Sequence, residues 1–451
     1  MAADGAIPQV PVLKRSLTMT DLIIYGLVYI GPIAPFAFYG YVSIAAKGMV
    51  ALAYIVGAVA MCFTAYSYKL LSADFPLAGS VFAYARSAIG EKTGFVAGWM
   101  LVLDYVLMPA AVYLAAATAL HEIVPFLPRW GLVVGFIAVG TAINYVGVQV
   151  TALVNKLILV VELALLAVFL VLGLYALYHG AGAGHLTLNP LYQPKVFSMG
   201  LLFSAVSLSS LSFLGFDAIS MLAEETKGKS TRLIGRATLA ALALAATLFV
   251  AQTWLAADLA NGMAFASPDA AFYEIVAIAG GKTFGIITAF VGAIAFGLTS
   301  AGVVQGSIAR LLFAMAREGR MPAFMAAVHP KFGTPHKSLI FVAATAVVVS
   351  MAFLNHFDLL GILVNFGALT GFLILHVTVV AHFIVRKRSR AYVRHLAFPA
   401  IGFCVLAYVL YYMEPDAWML GLSWMALGLI GYRIFVVVPR RRASTAVAPL
   451  G

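Results

Sequence analysis

Along this chain, long apolar runs alternate with short polar or basic breaks. Twelve stretches read as helices of membrane length: 19–46, 49–71, 94–120, 130–149, 152–178, 198–224, 234–258, 283–313, 338–354, 358–385, 396–413 and 417–438. Two are interrupted from within. The first holds "YIGPIAPFAFYG" (29–40), with Gly31, Pro32 and Pro35 in apolar surroundings. The sixth holds "SLSSLSFLGFDAIS" (207–220), with Gly215 between Phe213, Phe216 and Asp217. Proline removes a backbone donor and pushes its neighbour out of helical geometry. In hydrocarbon the freed peptide groups need partners, so such a break lies in protein or lines a cavity. The plainer alternative is a simple proline kink.

Composition agrees with the pattern. The 451 residues are 63% hydrophobic and 10% charged, against about 25% charged in a soluble domain. The net charge of +11 is scattered between apolar runs, which argues for membrane topology and against a nucleic-acid partner. With the N-terminus inside, only Lys47, Arg129, Lys195 and Lys282 fall outside, and every other one of the 28 lysines and arginines falls inside. Cys62 and Cys404 lie in apolar runs and read as buried packing thiols. The "GAGAG" at 180–184 reads as a flexible outer loop.

Spans one and six are five helices apart and run in opposite directions. The expected fold is therefore all-α and polytopic, with helices 1–5 and 6–10 as inverted repeats, helices 1 and 6 discontinuous, and two further helices. Residues 1–17 form a cytoplasmic tail. Residues 18–385 form the transport core, with repeats at about 18–178 and 198–385. Residues 394–438 form helices 11 and 12, and 439–451 a second cytoplasmic tail.

Most of the 17 acidic residues lie in loops, tails or helix ends, but Asp104, Glu162 and Asp217 fall inside spans. No lysine or arginine is expected at their depth. Such carboxylates must be protonated, hydrated or matched by a cationic ligand. Asp104 and Asp217 would otherwise cap broken helix ends. Tyr105, Phe213 and Phe216 add aromatic faces suited to an organic ammonium, or they pack. Thr299 and Ser300 would help hold Na⁺ with carbonyls of the first break, or would bond their own backbone. The chain has no phosphate loop, GxSxG or HExxH, so neither an ATP-driven pump nor an enzyme is expected, and no cofactor is implied. His376 and His382 are six apart, which does not align them as a helical metal pair.

Longer stretches carry a likeness. "SFLGFDAISMLAEETKG" (212–228), "SIARLLFAMAREGRMPAFMAAVHPKFGTPH" (307–336), "PDAAFYEI" with "GGKTF" (268–284), "VNFGALTGF" (364–372) and "VLDYVLMP" (102–109) resemble the amino acid–polyamine–organocation superfamily, most of all its bacterial putrescine importers. The resemblance covers nearly the whole chain. It implies the five-plus-five fold and proton-driven secondary transport in the inner membrane. It places substrate at Ile30, Gly31, Pro32, Ile33 and Ala34, facing Phe213 to Asp217, with Tyr105 as the tyrosine of the "LDY" motif. Where several relatives carry a coupling lysine, this chain has Glu162. Where the importers carry an acid after the first break, it has Ala37. The expected function is import of a small putrescine-like amine, with a proton gradient as driving force and the lipid bilayer as surroundings. A permease or exchanger for zwitterionic amino acids is the alternative, then a channel or nutrient sensor.

Overall fold

The computed structural model describes residues 17–75, 80–146, 148–226, 232–317 and 321–433. Each of the twelve apolar stretches contains helix. The helices are α1 (Met19–Ile30), α2 (Pro35–Ala45), α3 (Val50–Asp74), α4 (Ser80–Ala88), α5 (Glu91–His121), α6 (Arg129–Val146), α7 (Val148–Tyr178) and α8 (Met199–Ser210). They continue with α9 (Arg232–Ala260), α10 (Ala271–Ile294), α11 (Ala301–Arg317), α12 (His336–Ala352), α13 (Phe357–Val379), α14 (Phe398–Tyr411) and α15 (Pro415–Tyr432). Among the described residues, nine helices are long and apolar enough to cross a membrane, and the bent pair α1–α2 makes a tenth candidate. The protein is an all-helical, multi-pass membrane protein. Large apolar side chains such as Leu153, Val171, Val348 and Ile430 lie on its outside, as a lipid surround requires.

The first interruption is set by its own residues. A capping box starts α1: Asp21 N–H donates to Thr18 Oγ1 at 3.3 Å, and Thr18 N–H returns to Asp21 Oδ2 at 2.9 Å. The helix stops at Gly31, whose φ of 78° suits glycine alone. Pro35 is the first residue of α2, where its missing N–H costs nothing. The two helices meet at 55°. Thus Pro32 lies in the turn that closes one helix, and Pro35 opens the next.

The second interruption differs in its outgoing half. After α8, residues Leu211–Phe213 tighten into a 3₁₀ turn, Leu214 is extended, and Gly215 takes a φ of 106°. The chain then leaves as a 3₁₀ helix, Phe216–Glu225, where a regular α-helix was the expectation. A Cβ on Gly215 would lie 2.0 Å from the Tyr29 ring. The two breaks therefore touch, and glycine is needed there for both backbone angle and space. A bridge between Leu17 and Thr226 joins the same two segments near their ends.

The freed carbonyls have partners from neighbouring helices. Gln252 on α9 donates Nε2 to the Pro32 carbonyl at 3.0 Å. Ser300, in a π-helical turn between α10 and α11, donates to the Val28 carbonyl at 3.3 Å.

Around this centre α3 packs along α9, and α5 along α13. Helix α15 is fastened to α5 by a tryptophan pair. Trp99 and Trp424 stack at 4.6 Å, and each indole N–H donates to the other's backbone carbonyl, at 2.8 and 3.0 Å. Gly428 leaves room for the Trp99 ring.

Two further expectations need correction. Cys62 and Cys404 are on the exposed side of their helices and are not buried. An apolar run faces lipid as readily as protein, so hydropathy alone could not separate the two. The 180–184 loop is tied down: Ala183 N–H donates to Asp258 O at 2.9 Å, and a Cβ on Gly182 would meet that carbonyl at 2.3 Å. The connection after α3 contains a helix of its own, α4. The expected tails lie largely outside the described residues, at 1–16 and 434–451.

Two stability outcomes follow from the breaks. Gln252→Leu leaves a buried carbonyl unpaired and should destabilise the protein by about 1–3 kcal/mol, read as a lower melting temperature in detergent. Gly215→Ala should lower that temperature more than Gly262→Ala. Gly262 also has a positive φ, of 77°, but nothing lies near its missing Cβ. Equal losses would mean that the Tyr29 contact contributes nothing.

Candidate functional site

The second break delivers Asp217 into a ring of hydroxyls. Tyr105 on α5 donates to Asp217 Oδ2 at 3.1 Å. Tyr68 on α3 and Ser80 on α4 each lie 3.4 Å from the same oxygen and 2.8 Å from each other. Asp104 is the neighbour of Tyr105 on α5. It packs where Gly367 of α13 lets the two backbones approach, for a Cβ there would meet Asp104 N at 3.0 Å. Both acids are buried, and neither has an ion pair among the described residues. Asp104 also has no side-chain hydrogen bond among them. Tyr29, on the last turn of α1, completes the wall against Gly215.

The structure therefore brings together Asp104, Tyr105, Gly215 and Asp217 from the sequence-based set, while Gly31 lies beside Ser300 and Ala34, and Ile30, Pro32, Ile33 and Ala34 are buried along the first break. The aromatic pair flanking Gly215 divides. Phe213 packs at 5.0 Å from Phe249 and 6.0 Å from Tyr54, within the helix packing. Phe216 sits against Phe372 and Tyr68, on the acid side.

Glu162 is the third acid of the apolar spans. It is buried on α7, and its Oε1 has no hydrogen-bond partner among the described residues. Thr299 donates to the Ala295 carbonyl of its own helix, while Ser300 reaches across to α1. Among the described residues no group of three His, Cys, Asp or Glu gathers as a metal site would require.

Sequence reasoning missed Tyr29, Tyr68, Ser80 and Gln252. Gln252 carried a usable signal, as an amide in the middle of an apolar run. Ser80 carried none, because its role depends on α4 folding back beneath Asp217. Ser80 holds a φ of 53°, an uncommon angle for a residue with a side chain.

Aspartates fasten the helices at both ends of the bundle. On the face rich in lysine and arginine, Asp74 accepts from Lys387 at 2.5 Å and bonds His382 at 2.9 Å. Arg386 donates to the carbonyls of Ser87 and Ala88 at 2.7 and 2.9 Å, which caps α4. On the opposite face, Asp269 accepts from Tyr41 and from Arg129, the latter at 3.2 Å. Gly40 is pressed there against the Pro268 backbone. A cavity of about 420 Å³ enters from the basic face, past Arg310, Lys156 and Asn155, to Tyr25, Ser307 and Val28. It ends beside the first break, and Asp104, Tyr105 and Asp217 do not line it.

A family model described as amino acid permease matches residues 17–439. The low-affinity putrescine importer PlaP of Escherichia coli K12 is 34% identical over 93% of each chain. The branched-chain amino acid permease BcaP of Bacillus subtilis is 27% identical over 94% of this chain and 93% of its own. The methylthioribose transporter of the same organism is 26% identical over 94% of each. Two touching helix breaks around buried acids, in a multi-pass bundle with these likenesses, mark a transporter and not an enzyme, and the chain belongs to the amino acid permease family of the amino acid–polyamine–organocation superfamily.

Proposed function

We propose that this permease is a secondary active transporter that imports a small putrescine-like amine by alternating access, driven by protons. The observation that carries the reading is the pair Asp104 and Asp217, two buried acids with no basic partner among the described residues. A cation from outside supplies what the chain withholds. An ammonium 4 Å from a carboxylate gains about 4 kcal/mol at an effective dielectric of about 20. Likeness to a putrescine importer over almost the full length supports the same class.

The hydrogen bonds support unequal roles. Asp217 Oδ2 already faces three hydroxyls, whereas Asp104 has its lone pairs open. In our reading Asp104 is the first partner of the ammonium, and Tyr105 and Asp217 close around it. Ile30–Ala34 and Gly215 supply backbone groups, and Phe216 an aromatic edge.

The remaining parts follow from that site. Helices 1–10 form two inverted repeats that pivot about the touching breaks, helices 11 and 12 stand outside them, and both termini are cytoplasmic in a bacterial inner membrane. The basic face is then cytoplasmic. The cavity that enters there, with Asp269 fastening the far end, suits an inward-facing conformation. Glu162, buried without a partner for Oε1, carries the coupled proton. Ser300 and Gln252 already occupy carbonyls of the first break, which favours protons over sodium as the driving ion.

A second reading, a permease for zwitterionic amino acids, draws support from the likeness to BcaP. The substrate carboxylate would then meet the turns at Gly31 and Gly215. Uptake of labelled putrescine and of a panel of amino acids into proteoliposomes, with and without an imposed proton gradient, separates the two. Amine uptake that rises with the gradient is expected, whereas uptake confined to α-amino acids would replace this reading with the second. Asp104→Asn should lower amine uptake efficiency by about tenfold to a hundredfold, the worth of a charge-assisted hydrogen bond. Glu162→Gln should flatten the pH profile of uptake more than Tyr105→Ala does. Identical profiles for wild type and Glu162→Gln would remove the coupling role.

A further inference from the structure

Between α13 and α14 the chain reads "RKRSRAYVRHL", residues 386–396. Basic residues at the end of a span ordinarily record topology alone. Such a signal acts during insertion and needs no particular fold. This segment has one. Ser389 N–H donates to the Phe383 carbonyl at 2.9 Å, and its hydroxyl meets His395 Nδ1 at 2.8 Å. The His395 ring stacks on Phe383 at 4.2 Å. Two of the cations are committed within the protein, Arg386 to the end of α4 and Lys387 to Asp74.

The other three are not. Arg388, Arg390 and Arg394 are exposed and form no ion pair among the described residues. Between and beyond them stand Tyr392, Val393 and Leu396, exposed by 59%, 64% and 40%. The turn runs straight into α14, whose outward side is apolar. A soluble acidic partner would match the arginines but leave these apolar side chains in water. A phospholipid matches both, with a phosphate for the guanidinium groups and acyl chains for Tyr392, Val393 and Leu396.

We propose that the 386–396 turn is a binding site for the headgroup of an anionic phospholipid, held by Arg388, Arg390 and Arg394. The site also communicates with the transport centre. Arg386, beside the arginines, caps the last turn of α4, and Ser80 at the other end of α4 touches Asp217. A headgroup that orders the turn thereby steadies the floor beneath Asp217.

Two measurements test this. The first titrates purified protein in detergent with phosphatidylglycerol or phosphatidylcholine and reads bound lipid by native mass spectrometry. Wild type should prefer phosphatidylglycerol. Replacing the three arginines with glutamine should weaken that binding about fivefold for each charge removed, roughly a hundredfold in all. Replacing them with lysine should largely preserve it, because charge is the main requirement. Where the triple glutamine variant has a lowered melting temperature, the three single variants provide the graded series. Equal binding by wild type and the glutamine variants, or no preference between the lipids, would overturn the site. An acidic protein as the true partner would produce that same result.

The second measurement rests on the transport function proposed above. It compares uptake in phosphatidylcholine vesicles with and without phosphatidylglycerol. Wild-type uptake should rise with phosphatidylglycerol, and the glutamine variant's response should be smaller. Equal responses would sever the link to Asp217 while leaving the first measurement to decide the site. Absence of uptake under every condition, with lipid binding intact, would instead count against the transport reading.

Discussion

Hydrocarbon offers no hydrogen bond to a bare peptide group, and the architecture turns on that fact. A chain that interrupts two helices inside a membrane must find partners for what it frees. Here the partners come from elsewhere in the fold, with the Gln252 amide on Pro32 and the Ser300 hydroxyl on Val28. The breaks then protect each other, since the Tyr29 ring covers Gly215. Packing that would be local in a continuous helix becomes long-range. The site is therefore a product of the whole bundle.

The acids follow from the same constraint. A carboxylate in apolar surroundings is tolerable when its lone pairs are used or when a cation visits. Asp217 meets the first condition through hydroxyls from three different helices. Asp104 meets neither within the described residues, and Glu162 has one oxygen unpaired. In this respect the three acids differ in kind, although hydropathy treats them alike.

What the sequence made legible was everything governed by local chemistry. Pro32, Pro35, Gly31 and Gly215 announced the breaks, because few residues permit those backbone angles and few positions require them. The scarcity of charge made Asp104, Glu162 and Asp217 conspicuous. Placement around the helix axis was not legible. Cys62 and Cys404 face outward, since lipid-facing and protein-facing positions are equally apolar. Contacts between distant segments were hidden as well. Nothing near Ser80 indicates that it reaches Asp217, and nothing in "GAGAG" indicates the Asp258 carbonyl that holds it.

The tryptophan pair on α5 and α15 has a mechanical meaning. Two stacked rings that exchange hydrogen bonds with each other's backbone resist sliding along either helix, because any shift would break both bonds at once. Trp99 is about one and a half turns from Asp104 and Tyr105 on the same helix. Those two side chains are thus mounted on a fixed rail, with α15 as its brace. The second broken helix is bonded to this braced element through Asp217, and Asp104 and Tyr105 take their places from it.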